Sequence, residues 1–274
     1  MVLSIDNLSK NLSKIKKLYD EKGAEIVLKK VAHSVTKIFR QPAEKKTLLK
    51  LDILNQSLDK GRLTQDIERL LLLGLFRHSN EIKRDIRSLP SGVTIKIMNR
   101  AIKILNNEFE VYGGLSLKFN KEPFSWRCDP LSDFVWTSEC PSINVLGKKP
   151  SGIDIKNVWE IARFHFLSSL AYAYILSGEE RFVSCAIEKV ESWIDENQFL
   201  QGPHWTRAME ASIRLINWCF YLPLLDIFKL SDSSFIHKLV NSFLEHLFYI
   251  KENLEISPSH TGIHYLADLV GLLM

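Results

Sequence analysis

From Asp154 onward, apolar residues recur every three or four positions, and only a few residues separate one run from the next. That spacing predicts helices over about 154–177, 179–196, 204–221, 233–250 and 259 to the end. The connectors hold Gly178, Gly202-Pro203 and Ser231-Asp232-Ser233. Connections this short lay consecutive helices antiparallel. The chain must therefore build from helical hairpins that close into a ring or stack as a solenoid. No fixed-period repeat marks a common repeat family.

The first part of the chain is also helical in pattern. Leu8, Leu12, Ile15 and Leu18 make one stripe and Leu28, Val31, Val35 and Ile38 another, with lysines on the other faces and Gln41-Pro42 as a break. This predicts a basic helical extension over 1–42 and a main domain over 43–274. The lysine faces read as solvated surface, with contact to an acidic membrane surface as the sharper alternative. Further stripes are Ile67, Leu70, Leu71, Leu75 and then Ile95, Met98, Ile102, Leu105, with a turn over Ser88 to Gly92. Between about 109 and 153 the pattern lapses into an irregular segment rich in aromatics and turn formers, with Gly113-Gly114 inside a β-prone stretch.

Composition excludes several classes. A net charge of +4 in 274 residues is too weak to argue for nucleic acid, but would suit an anionic ligand if the cations gather in one cleft. No run approaches the ~18 uninterrupted apolar residues of a membrane span. No secretory signal is visible at the N-terminus, so the default expectation is a cytoplasmic product. Cys128, Cys140, Cys185 and Cys219 show neither CxxC pairing nor a regular framework, and read as free thiols. Nothing indicates a metal or an organic cofactor.

Three constellations carry polar chemistry. Lys156, Trp159, Glu160 and Arg163 share one helical face. Glu210, Arg214 and Asn217 share another, near Trp205 and Trp218. Arg214 sits among apolar neighbours and needs a partner, for which Glu210 one turn back is the candidate. This is either a buried pair bracing two helices or a polar stripe lining a cleft. His260, His264 and Asp268 fall at i, i+4 and i+8, without the glutamate of an HExxH zinc motif.

In order along the chain, these pieces resemble the heparinase II/III family of polysaccharide lyases and its alginate-lyase relatives. Trp126-Arg127-Cys128-Asp129-Pro130 resembles the family's W-x-x-D-P. Asp154 to Arg163 resembles D-x-K-x-x-W-E-x-x-R. Gly202-Pro203-His204-Trp205, then Glu210, Arg214 and Asn217-Trp218, continue the series. Gly262-Ile263-His264 through Gly271-Leu272 resembles the closing G-N-H…G-L. The resemblance covers about residues 100–274.

The resemblance implies an all-α fold, an incomplete α/α toroid of antiparallel hairpins, followed in the family by a β-sandwich that this sequence does not contain. It implies cleavage of uronic-acid polysaccharides by β-elimination, in which an asparagine and its adjacent histidine offset charge on the uronate carboxylate and a later tyrosine moves the proton. It implies an acidic, uronate-containing polysaccharide as partner, met in family members outside the cytoplasm. His264 takes the catalytic histidine position. Arg163, Trp205, Glu210, Arg214 and His204 become cleft candidates, with Trp126 and Trp136 as possible sugar-stacking rings or loop anchors. The sequence departs from the pattern at the asparagine, which is Ile263, and His204 replaces the asparagine of G-x-N-W. Losing one such donor typically costs about 10²–10³ in rate. A chain that is inactive as written is therefore expected, either a broken lyase or a glycan-binding or scaffold relative. The apolar run Tyr265 to Met274 needs a packing partner, and the family's next hairpins, missing from this sequence, are its natural one.

Overall fold

The computed structural model describes residues 79–119, 124–139, 141–146, 150–256 and 262–273. The 1–42 extension, its boundary at 43, His260 and Cys140 lie outside the described residues. The described chain is mostly helical, with one two-stranded hairpin. Helices α1 (Ser79–Arg87) and α2 (Ser91–Leu105) precede antiparallel β1 (Glu108–Val111) and β2 (Leu115–Lys118). One-turn α3 (Ser142–Val145) lies in the irregular segment. Then come α4 (Lys156–Ala162), α5 (Leu167–Ser177), α6 (Arg181–Glu196), a 3₁₀ turn (Pro203–Trp205) and α7 (Ala208–Leu224). Short α8 (Ile227–Leu230), α9 (Ser233–Glu252) and α10 (Ile263–Leu273) close the series.

Local chemistry sets these boundaries. Gly178 takes φ +72°, the left-handed conformation that ends α5 and turns the chain into α6. The Asp232 carboxylate accepts from the Phe235 N–H at 2.8 Å and caps α9. The helix expected over 154–177 is two helices, because Phe164 adopts φ +61° and turns the chain between α4 and α5. Gly113 and Gly114 occupy the hairpin turn at φ +75° and +156°.

The long helices form two layers. Helices α2, α5, α7 and α10 follow one another as neighbours in one; α6 and α9 pack together in the other, against α5 and α7 respectively. Their shared core contains Trp193, Trp205 and Trp218, all fully buried, with Phe164 edge-on to Trp193 and Trp218. The stripe read on α2 is half right: Met98 and Leu105 pack against the core beside buried Ala101 and Ile104, whereas Ile95 and Ile102 are exposed. At α10 the helix packs through Asp268 and Gly271, leaving Ile263, Leu266, Leu269, Val270 and Leu273 exposed. No described helix is long and apolar enough to cross a membrane.

Candidate functional site

Helix α7 organises the polar groups. At 100° per residue, Glu210 and Asn217 point to one side, Ser212 to the other, and Arg214 and Trp218 into the core. The contacts follow this geometry. Glu210 and Asn217 meet the α4–α5 turn, while Ser212 meets Asp268 and Gly271 of α10. Between these flanks Met209, Ile213, Ile216 and Phe220 reach solvent at i, i+4, i+7 and i+11. The face is thus an apolar floor with a polar wall on each side.

The first wall centres on Arg163. Its Nε and Nη2 each donate to the Glu210 carboxylate at 2.8 Å, and its Nη1 donates to Glu160. Burial opposes the charge, but the fork to Glu210 wins and the Arg163 pKa is raised. The Asn217 amide donates to the Arg163 carbonyl at 2.7 Å and lies 3.1 Å from His165 Nδ1. Desolvation lowers the His165 pKa, with Arg163 adding to the effect. Tyr112, at φ +51° on the hairpin turn, donates to Asn157, whose amide in turn donates to Asp129.

Opposite, Glu255 links the start of α7 to α10. Its carboxylate accepts from the Met209 N–H at 3.2 Å, lies 2.9 Å from His264 Nδ1 and 3.8 Å from Arg207. The Glu255 N–H donates to the buried Asp268 at 2.8 Å. His264 is half exposed at the start of α10, next to Ile263, which is 78% exposed.

Several sequence candidates lie elsewhere. Trp205, His204, Trp126 and Trp136 are each 3% exposed or less, which leaves no ring face for a sugar. Trp126 stacks on Phe164, Trp205 donates to the Asn197 carbonyl, and His204 Nε2 meets the Trp126 carbonyl at 2.9 Å. Trp159 is likewise buried, donating to the Pro203 carbonyl. Trp126 and Trp136 tie the irregular segment to the core, and Trp205 and Trp159 pack inside it.

The expected Glu210–Arg214 pair is replaced. Glu210 pairs with Arg163, and Arg214 turns into the core, where its Nε donates to His246 Nε2 at 2.7 Å. Its guanidinium carbon lies 3.9 Å from the Trp193 ring centre and 5.5 Å from that of Trp205. Burial pushes its pKa down to about 9. Arg214 is therefore an interior brace rather than a cleft residue. Of the candidates, Arg163 and His264 reach the surface, with Glu210 behind Arg163.

Sequence reasoning missed His165, Tyr112 and Glu255. His165 was hidden by the expectation of an unbroken helix through Phe164. Tyr112 is brought in by a hairpin, and Glu255 by a tertiary contact that leaves no local signal. Free thiols were expected, and Cys185 and Cys219 are free and also buried, with pKa values raised by burial to about 11 and about 12.

The described residues form a mostly helical domain of two-layered helices with one acid–base–amide face. Residues 5–274 match the heparinase II/III N-terminus family, and the chain belongs to that family. No curated protein and no solved structure matches it.

Proposed function

We propose that this domain binds a uronate-containing polysaccharide across the α7 face and that β-elimination is blocked at Ile263. One observation carries the reading: an apolar floor of Met209, Ile213 and Ile216 is flanked by Arg163 and His165 on one side and by Glu255 and His264 on the other. A pyranose chain offers apolar C–H faces with hydroxyl edges, and such a floor and walls complement both. The neighbour order α2–α5–α7–α10, with α6 and α9 behind, supports reading these hairpins as part of an α/α toroid.

The first wall sets one cation against two carboxylates, and the second sets one against one. Arg163 faces Glu160 and Glu210, and Arg207 faces Glu255. Recognition therefore relies on placed hydrogen bonds more than on net charge. At the position where the family resemblance implies a carboxylate-binding asparagine, Ile263 presents hydrocarbon beside His264. With no amide there, charge developing on a uronate carboxylate lacks its donor.

Calorimetric titration with oligomannuronate, oligoguluronate and heparan oligosaccharides tests binding, and ultraviolet absorbance of unsaturated uronate tests elimination. The expected outcome is binding to at least one without a rise in absorbance. Absence of binding to all would refute the glycan reading; steady unsaturated product would refute the block at Ile263.

A further inference from the structure

Beside the first wall, α2, β1 and the α4–α5 turn enclose a cleft of about 150 Å³. Pockets that enclose drug-sized ligands run to about 300–1,000 Å³, so this one has room for a single ring. Ile104 and Phe166 line its apolar part and His165 its rim. Arg100 donates twice to Glu110 at 2.8 Å, and Lys103 sits 2.9 Å from Glu108. The lining cations are thus already held by carboxylates, leaving a charge-balanced, mixed donor–acceptor surface.

The proton position on His165 follows from its neighbours. The Asn217 group 2.7 Å from the Arg163 carbonyl must be the amide nitrogen, because a carbonyl only accepts. That same nitrogen faces His165 Nδ1 at 3.1 Å, so Nδ1 accepts. The ring is therefore neutral with its proton on Nε2, an atom without a partner among the described residues. Protonating Nδ1 would set two donors face to face. Glu160, Arg163 and Glu210 are the charges nearest the ring on the α4 and α7 side; Arg100, Lys103, Glu108 and Glu110 lie around the cleft.

We propose that this cleft is a subsite for one sugar residue, in which His165 Nε2–H donates to a ring substituent oxygen, Glu108 and Glu110 accept from hydroxyls, and Phe166 lies against the sugar's apolar face. The proposal rests on the glycan-binding reading and adds to it a second contact region outside the α7 face. Asn217 is the positioning residue, acting through the tautomer it imposes.

The test uses the full chain with short oligouronates. Imidazole ¹⁵N correlation spectra of the free protein should show His165 as the Nε2–H tautomer, and oligouronate should shift that resonance. His165→Ala should weaken binding by about tenfold or more, the range of one hydrogen bond to a charged or strongly polar oxygen. His165→Gln, which keeps an amide donor, should stay within about threefold of the parent. The subsite falls while the glycan reading survives if the parent binds and His165→Ala binds equally well, or if His165 carries its proton on Nδ1. Should the parent bind no oligouronate, both fall together.

Discussion

Arg163 and Glu210 meet through two parallel hydrogen bonds of 2.8 Å, tying the end of α4 to the first turn of α7. Glu210 is 1% exposed and Arg163 22%. Glu160, the second acceptor, sits nearer the surface at 16%. Removing Glu210 and removing Glu160 therefore differ in consequence. Glu210→Ala should cost about 3 kcal/mol, the low end for breaking a buried pair, since Glu160 still faces the guanidinium. Glu160→Ala should cost about 1 kcal/mol or less, and Arg163→Lys should not restore the fork. Urea unfolding of the three variants checks the order.

Arg214 predicts a different pattern, because its partners are rings and a neutral histidine. Arg214→Ala should destabilise by about 3–5 kcal/mol, leaving His246 Nε2 without its donor and a void against Trp193. Arg214→Lys should recover little, since an ammonium is not a plane that stacks. Thermal unfolding followed by tryptophan fluorescence reads both effects.

Burial also writes a pH dependence. His204 has its pKa pushed down to about 3 by desolvation, with Arg214 adding to it, and His246 is lowered well below its usual value for the same reasons. Between pH 6.5 and these values the unfolded chain binds more protons, so stability is full above 6.5 and falls as pH drops. Each histidine contributes a slope of about 1.4 kcal/mol per pH unit. Glu245, lifted to about 7 by burial, works the other way between about 4.5 and 7 and offsets one of them. His204→Asn should flatten the acid limb by about one proton, and Glu245→Gln should steepen it; melting temperatures from pH 4.5 to 8 test both.

Gly271 lies where α10 crosses α7. A Cβ there would come within 2.8 Å of Ser212 Cβ. Gly271→Ala should cost about 1–3 kcal/mol through overpacking. Ser212→Ala should not relieve it, because the nearest atom is the Cβ itself, whereas Ser212→Gly combined with Gly271→Ala should relieve it in part, the residue 212 Cα staying at 3.1 Å. Hydrogen exchange along α10 measures the loosening and its rescue.

Long periodic segments were the most legible part of the sequence. Helices α6 and α9 fall close to where their apolar spacing puts them, because each buries one continuous stripe. The α4–α5 break was not legible. Phe164 pays for its positive φ with burial of a ring among Trp126, Trp193 and Trp218, which depends on residues far away in the chain. The α2 face was legible only in part for a related reason: Met98 and Leu105 pack inward, but small Ala101, the most buried residue of the helix, is hidden from a stripe of large residues by its low hydrophobicity. For the site, the Trp-Glu-Arg motif pointed to Arg163, which reaches the surface, and to Trp159, which is buried. Aromatic residues near arginines read alike whether they hold sugars or hold the core. His165 and Glu255 depend on partners 52 and 46 residues away in Asn217 and Met209, which spacing along one helix cannot reveal.

The guanidinium of Arg214 carries its charge between indole faces rather than against an acid. Dissolved ions screen pairs they can surround, such as Lys238 with Glu191 and Asp195, but have no route to a cation walled in by tryptophan. Raising the ionic strength should soften the outside of this protein and leave its centre indifferent.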